Sequence, residues 1–222
     1  MAASCLLMEG REMHIPDGFL SIPVSVVSYA TSAIGVGASI RSLKKNMADR
    51  MIPTMGALAA FIFAAQMFNF PVAGGTSGHL MGGFLAAVLV GPMAATIIIS
   101  VVLIVQCLLF QDGGLLALGA NMLNMALFAT WGGWAIYRSL SALSGRGFRW
   151  AAIFIGAWSS MVIASAACAI ELAASGTIAA RIVMPAMIGV HAIIGIGEGL
   201  ITALVVSFVE RVGVQKVCSG RP

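Results

Sequence analysis

Met13-His14 carries more potential chemistry than any other pair in the chain. If Met13 is the first residue, its free amine, the His14 backbone nitrogen and the His14 imidazole can all reach one metal ion. Amine and amide close a five-membered chelate ring; amide and Nδ1 close a six-membered one. Three nitrogens in a plane leave one in-plane position open, an arrangement that suits Ni(II) and Cu(II). If the chain starts at Met1, the Met13 nitrogen is a peptide amide and a poor ligand. Residues 1–12 (MAASCLLMEGRE) hold only a tiny apolar run followed by acidic residues, unlike a signal peptide. They read as a misassigned start or a dispensable extension, ahead of a single domain over 13–222.

The rest of the chain must position these groups, and it is strongly apolar. Of 222 residues, 60% are hydrophobic and 9% charged, against about 25% charged in soluble domains. A water-soluble fold cannot hide that much apolar surface. The expectation is an all-α integral membrane protein. A span needs about 20 apolar residues, fewer where a helix is short or enclosed by others. Seven segments qualify: about 22–40, 51–69, 78–91, 93–110, 115–137, 149–172 and 183–209. Only Gly91-Pro92 separates the third from the fourth, and fusing them would give six.

The basic residues favour seven. Arg41, Lys44, Lys45 and Arg50 lie in the first loop; Arg138, Arg146 and Arg149 in the fifth; Arg211, Lys216 and Arg221 in the tail. Seven spans put all of these on one side and only Arg11 and Arg181 on the other. The positive-inside rule makes the richer side cytoplasmic, so the N-terminus is outside and the C-terminus inside. A six-span chain would split the basic loops. The net charge of +4 comes from these scattered loop residues and is no sign of nucleic-acid binding. Cys5, Cys107, Cys168 and Cys218 share no CxxC spacing and read as small hydrophobes. The 14 methionines are scattered, which suits core filling better than a copper site.

This topology brings Met13-His14 and the loop at 70–79 to the same external side. That loop reads Asn69-Phe70-Pro71-Val72-Ala73-Gly74-Gly75-Thr76-Ser77-Gly78-His79. Its paired glycines allow close backbone approach. A lone histidine at a helix start is ordinarily a cap or a packing residue. With two of the chain's three histidines external and near span starts, His79 becomes a candidate for the open in-plane position.

Three motifs then occur in order: Met13-His14-Ile15-Pro16-Asp17-Gly18; Gly74-Gly75-Thr76-Ser77-Gly78-His79; and Asp112-Gly113-Gly114 followed by Leu118-Gly119-Ala120-Asn121-Met122-Leu123-Asn124-Met125. Together they resemble the CbiM/NikM family, the substrate-specific (S) components of energy-coupling-factor transporters for cobalt and nickel. The resemblance runs from Met13 to about residue 210. It implies seven helices in a prokaryotic plasma membrane, with the N-terminus tucked into an external pocket. It implies Ni2+ or Co2+ as transported substrate, held by the N-terminal amine, the second residue's amide and imidazole nitrogens, and a histidine before the third helix. These fall on Met13, His14 and His79. It implies as partners a transmembrane coupling (T) subunit, two ATPase subunits and a small auxiliary membrane subunit. Family members begin at the Met-His, which supports a start at Met13; a retained extension would remove the amine ligand.

The other polar residues read as support. Pro16-Asp17-Gly18 is a turn signal that would drop the N-terminus back into the bundle. Metal-bound histidines usually donate their other ring N–H to an acceptor. Ser77, Gln111, Asp112, Asn121 and Asn124 are the candidate acceptors, with bonding between helices as the plainer alternative. Glu198 lies seven residues after His191 on one helix face. It is expected nearer the cytoplasmic half, away from the metal, as a structural or coupling-subunit contact. Gly195 and Gly199 flank it in a close-packing pattern.

Two other functions fit parts of the sequence. A rhomboid-like intramembrane serine protease would use Ser77 and His191 as its dyad, yet three full spans separate them where rhomboids have one helix. A stand-alone secondary metal carrier would need carboxylates along a pathway, and only Glu171 and Glu198 lie in or at the end of a span. The chain has no GxxxxGK[ST] phosphate loop, so it is no ATPase itself.

Overall fold

A hydrocarbon environment offers a backbone no water to bond, so each span must satisfy its own N–H and C=O groups as helix. The computed structural model describes residues 14–46, 51–68, 70–71, 77–143 and 148–212. Met13, the extension before it, the 72–76 segment and the Ser77 side chain lie outside the described residues. The elements are α1 (Ile22–Asn46), α2 (Met51–Gln66), β1 (Phe70–Pro71), β2 (Ser77–Gly78), α3 (Gly83–Val90), α4 (Pro92–Phe110), α5 (Leu118–Met122), α6 (Thr130–Leu143), α7 (Arg149–Ala174) and α8 (Ala180–Val212). A π-helical stretch, Leu123–Ala129, joins α5 to α6. With residues 118–143 taken as one rod, the described residues form seven helices, as expected.

Four of them, α1 over Ile22–Lys45, α4, α7 and α8, are long and apolar enough to cross a membrane. Large apolar side chains face outward along them, such as Ile34, Leu109 and Leu204. That surface suits lipid. The third helix departs from expectation. It begins at Gly83, well after the apolar run starts, and has only eight residues, about 12 Å of rise. The stretch His79–Gly82 before it is a non-helical strap running into the bundle, with Gly82 in the left-handed region at φ +74°. β1 and β2 pair antiparallel just ahead of it, Phe70 with Gly78 and Pro71 with Ser77. At the other end Gly91 (φ +89°) breaks the helix and Pro92 opens α4.

The core runs through the centre of the bundle. Ile62, Ile98, Ile99 and Leu103 pack with Met125 and Met161. A second cluster joins Phe84, Leu85, Ile153 and Val206. Small residues set the helix spacing, as they do where lipid supplies no hydrophobic drive between helices. A Cβ on Gly133 would stand 2.8 Å from the Gly156 carbonyl, and one on Gly156 would stand 2.6 Å from Phe84. Helices α3, α6 and α7 therefore meet backbone to ring at this point. The Gly195 and Gly199 pair packs likewise on Trp158 and Phe154 of α7. Trp158 Nε1 also donates to the Ala192 carbonyl at 2.9 Å, and an Arg149–Glu210 ion pair joins the far ends of α7 and α8.

The π-helical stretch shifts the carbonyl ladder, and side chains take up the displaced groups. Thr130 Oγ1 donates to Met125 O at 2.9 Å. Thr96 Oγ1 lies 3.1 Å from Ala126 O and accepts from Trp131 Nε1 at 3.0 Å. Irregular helix inside a membrane protein survives where neighbours re-satisfy it in this way.

Gly156→Val should cost about 1–3 kcal/mol through overpacking. The measurement is the thermal unfolding midpoint in detergent. An unchanged midpoint would mean that α3, α6 and α7 do not meet as closely as described.

Candidate metal centre

The segment ahead of α1 is docked through the Ile15 main chain and the Asp17 side chain. Ile15 N–H donates to Asn121 Oδ1 at 3.1 Å, and Ile15 O accepts from Asn121 Nδ2 at 3.2 Å. The same carbonyl accepts from Gly114 N–H at 2.9 Å. Asp17 completes the dock: Oδ2 accepts from Leu115 N–H at 3.1 Å and Oδ1 from Leu116 N–H at 2.7 Å. Gly18, at φ +90°, makes the turn into α1. The Ile15 side chain fills a small apolar pocket against Ala117 and Ala120.

Two glycines allow this approach. A Cβ on Gly113 would stand 2.8 Å from the His14 Cβ, and its φ of +86° is itself one that L residues avoid. A Cβ on Gly114 would collide with the Asp17 carboxylate and backbone nitrogen. The Asp-Gly-Gly motif therefore shapes the seat of the N-terminal segment.

The dock places His14 against His79. Their ring centroids are 5.5 Å apart with planes inclined at 53°. His14 is 7% exposed, and among the described residues neither of its ring nitrogens has a hydrogen-bond partner. Buried imidazole nitrogens normally find one. Asp112 Oδ1 lies 3.2 Å from His14 Nδ1, without the angle of a hydrogen bond. His79 Nδ1–H donates to Leu80 O at 3.0 Å, which fixes the tautomer with a lone pair on Nε2. His79 and Asp112 each lie beside the His14 ring, but among the described residues no three His, Cys, Asp or Glu side chains are grouped to hold a metal ion by themselves. Two imidazoles are nitrogen donors of the kind transition-metal ions take, and backbone nitrogens would have to complete any such site.

The other described candidate acceptors have partners or places of their own. Asn121 serves Ile15. Asn124 Nδ2 donates to Glu171 Oε2 at 2.7 Å, and Ser28 Oγ to Glu171 Oε1 at 3.4 Å. Gln111 caps α4 in the left-handed region, exposed. His191 Nδ1–H donates to Met187 O at 2.7 Å within its own helix.

Several residues at the site gave no sequence signal for the role they hold. Asp17 reads as a turn residue and acts as a clamp. Gln66 Nε2 donates to Met81 O at 2.8 Å, and Gln106 Nε2 to Gln66 Oε1 at 2.9 Å. Both glutamines sit inside apolar spans, where polar side chains are rare and usually functional; that was the available clue. Glu198 makes a structural contact, as expected, but with the strap that follows His79 rather than away from it. It bonds the backbone of Met81 and Gly82, just beyond His79, because the strap descends to its level before α3 begins.

The model of the CbiM family, described as cobalt uptake substrate-specific transmembrane region, matches residues 14–215. The chain belongs to the CbiM family. As a CbiM-family protein it is a multi-pass membrane protein. It is 41% identical over 199 residues to a putative fused nickel transport protein NikMN of Archaeoglobus fulgidus, covering 89% of this chain and 65% of that relative's length. It is 31% identical to the cobalt transport protein CbiM of Thermosediminibacter oceani, over 89% of this chain and 84% of the relative. The crystal structure of a truncated transition metal transporter, 35% identical, superposes with a TM-score of 0.82 over 90% of this chain and 99% of the other.

In this CbiM-family chain, Asn121→Leu removes two bonds to Ile15, about 1 kcal/mol each. Hydrogen exchange at the Ile15 amide should accelerate roughly thirtyfold. An unchanged rate would mean that Gly114 and Asp17 hold the segment without Asn121.

Proposed function

We propose that this protein is the substrate-capturing membrane component of an energy-coupling-factor importer for Ni2+ or Co2+. The observation that carries the reading is His14 set against His79, with both His14 ring nitrogens buried and without hydrogen bonds. The proposed ligands are the Met13 amine, the His14 amide nitrogen, His14 Nδ1 and His79 Nε2. The amine requires Met13 as the first residue of the working protein, with residues 1–12 absent.

The ion is the substrate. It displaces the amide proton of His14, which passes to water, so binding weakens in acid. A deprotonated amide contributes one negative charge, and Asp112 beside the His14 ring brings a second. Together they offset the dication where the dielectric is low and charge pairing is strong. A planar nitrogen set favours Ni2+, while relatives are named for either metal. The basic loops support a site outside and a C-terminus in the cytoplasm, in a prokaryotic plasma membrane.

Capture is binding, so the chain itself is not an enzyme in this reading. Two ATPase subunits would supply the energy, a transmembrane coupling (T) subunit would transmit it, and a small auxiliary membrane subunit would complete the complex.

His14→Ala and His79→Ala should each abolish Ni2+ and Co2+ binding at micromolar metal in the purified protein. Undiminished binding in both would sink the site. Affinity should also fall steadily as pH is lowered, and N-terminal sequencing of the native protein should begin at Met13.

A further inference from the structure

Glu198 is the carboxylate nearest the strap that carries His79, and its bonding is unusual. It is 2% exposed in the middle of an apolar helix, where a charge is expensive and is generally retained for a function. Both of its oxygens go to backbone. Oε2 accepts from Met81 N–H at 2.8 Å and Oε1 from Gly82 N–H at 3.0 Å. Two successive N–H groups converge on one carboxylate, as in a backbone anion nest, and Gly82 itself is left-handed. A side chain at Gly82 would meet Ile62 Cγ2 at 2.7 Å, so the turn is fitted to the bundle as well.

The Met81 N–H belongs to the Leu80–Met81 peptide. The carbonyl of that same peptide, Leu80 O, takes the His79 Nδ1–H at 3.0 Å. One rigid peptide plane therefore stands between the Glu198 carboxylate and the His79 imidazole. A carboxylate bonded to a peptide N–H polarises its carbonyl into a stronger acceptor, since hydrogen bonds in series reinforce one another. A stronger acceptor on Nδ1–H makes the opposite nitrogen more basic and fixes the ring, as carboxylates bonded directly to metal-binding histidines do. Gln66, fully buried, holds the next carbonyl, Met81 O, from the other side, and Gln106 holds Gln66.

We infer that Glu198 is a positioning residue for the metal ligand His79, acting through the Leu80–Met81 peptide, with Gln66 bracing the strap. The inference rests on the site proposed above. It makes α8 part of the metal centre although none of its side chains touches the ion.

The test is Ni2+ titration of the purified full chain in detergent, as wild type, Glu198→Gln, His79→Ala and the double variant. Glu198→Gln keeps the size of the side chain but turns an amide donor toward one of the two N–H groups. It should lower affinity about tenfold or more, the usual range for such supporting partners. In the His79→Ala background, titrated to millimolar metal, it should add no further loss, because its action runs through His79. A general structural role would lower affinity equally in both backgrounds and overturn the inference. So would a folded Glu198→Gln protein with wild-type affinity. If His79→Ala itself binds like wild type, the proposed site fails, and the inference with it. Should Glu198→Gln not fold, Gln66→Leu is read in the same cycle. If neither folds, the two side chains belong to the fold alone and the inference falls.

Discussion

The Ile15 peptide is the fixed point of its end of the bundle. Its N–H and C=O are both held by one amide side chain, Asn121, and its carbonyl also by Gly114. Everything that makes His14 useful follows from that hold. An imidazole on a frayed terminus samples many rotamers, and a backbone nitrogen there samples many orientations. Once Ile15 is fixed, the His14 peptide has little freedom left. The ring comes to rest against His79 and Asp112. The glycines at 113 and 114 are the other half of the same constraint, since any side chain there would push the segment away.

The partner histidine is held by the same means from the opposite direction. His79 stands on backbone that is not helical, and non-helical backbone at membrane depth persists only when protein groups satisfy it. Gln66 of α2 and Glu198 of α8 do so, and Gln106 of α4 holds Gln66 in turn. The two histidines are thus brought together by polar side chains that bond to main chain, while the apolar clusters beneath keep the helices at fixed spacing.

Much of this was legible in the sequence. Apolar runs and the break at Gly91-Pro92 marked the helices, and the three motifs marked His14, His79 and the Asp112-Gly113-Gly114 seat. What was not legible depends on contacts far apart in the chain. The run starting near residue 78 reads as helix from its composition, yet helix begins only at Gly83 because Glu198, 116 residues away from Gly82, captures two N–H groups of the strap. Asn121 and Asn124 are three apart and read as one face. They serve different partners, Ile15 and Glu171, and the π-helical stretch begins between them, at Leu123. No periodicity announces a π turn; its satisfaction by Thr96 and Thr130 appears only in three dimensions.

The grip on Ile15 is on its main chain, and the link from Asp17 to α1 is only the residues 18–21. The N-terminal segment is in effect a peptide ligand tethered beside its own receptor. A short tether holds such a ligand at an effective concentration in the millimolar range. Contacts too weak to retain a free peptide therefore suffice to keep His14 in place nearly all the time. The segment can let go and return without leaving the neighbourhood.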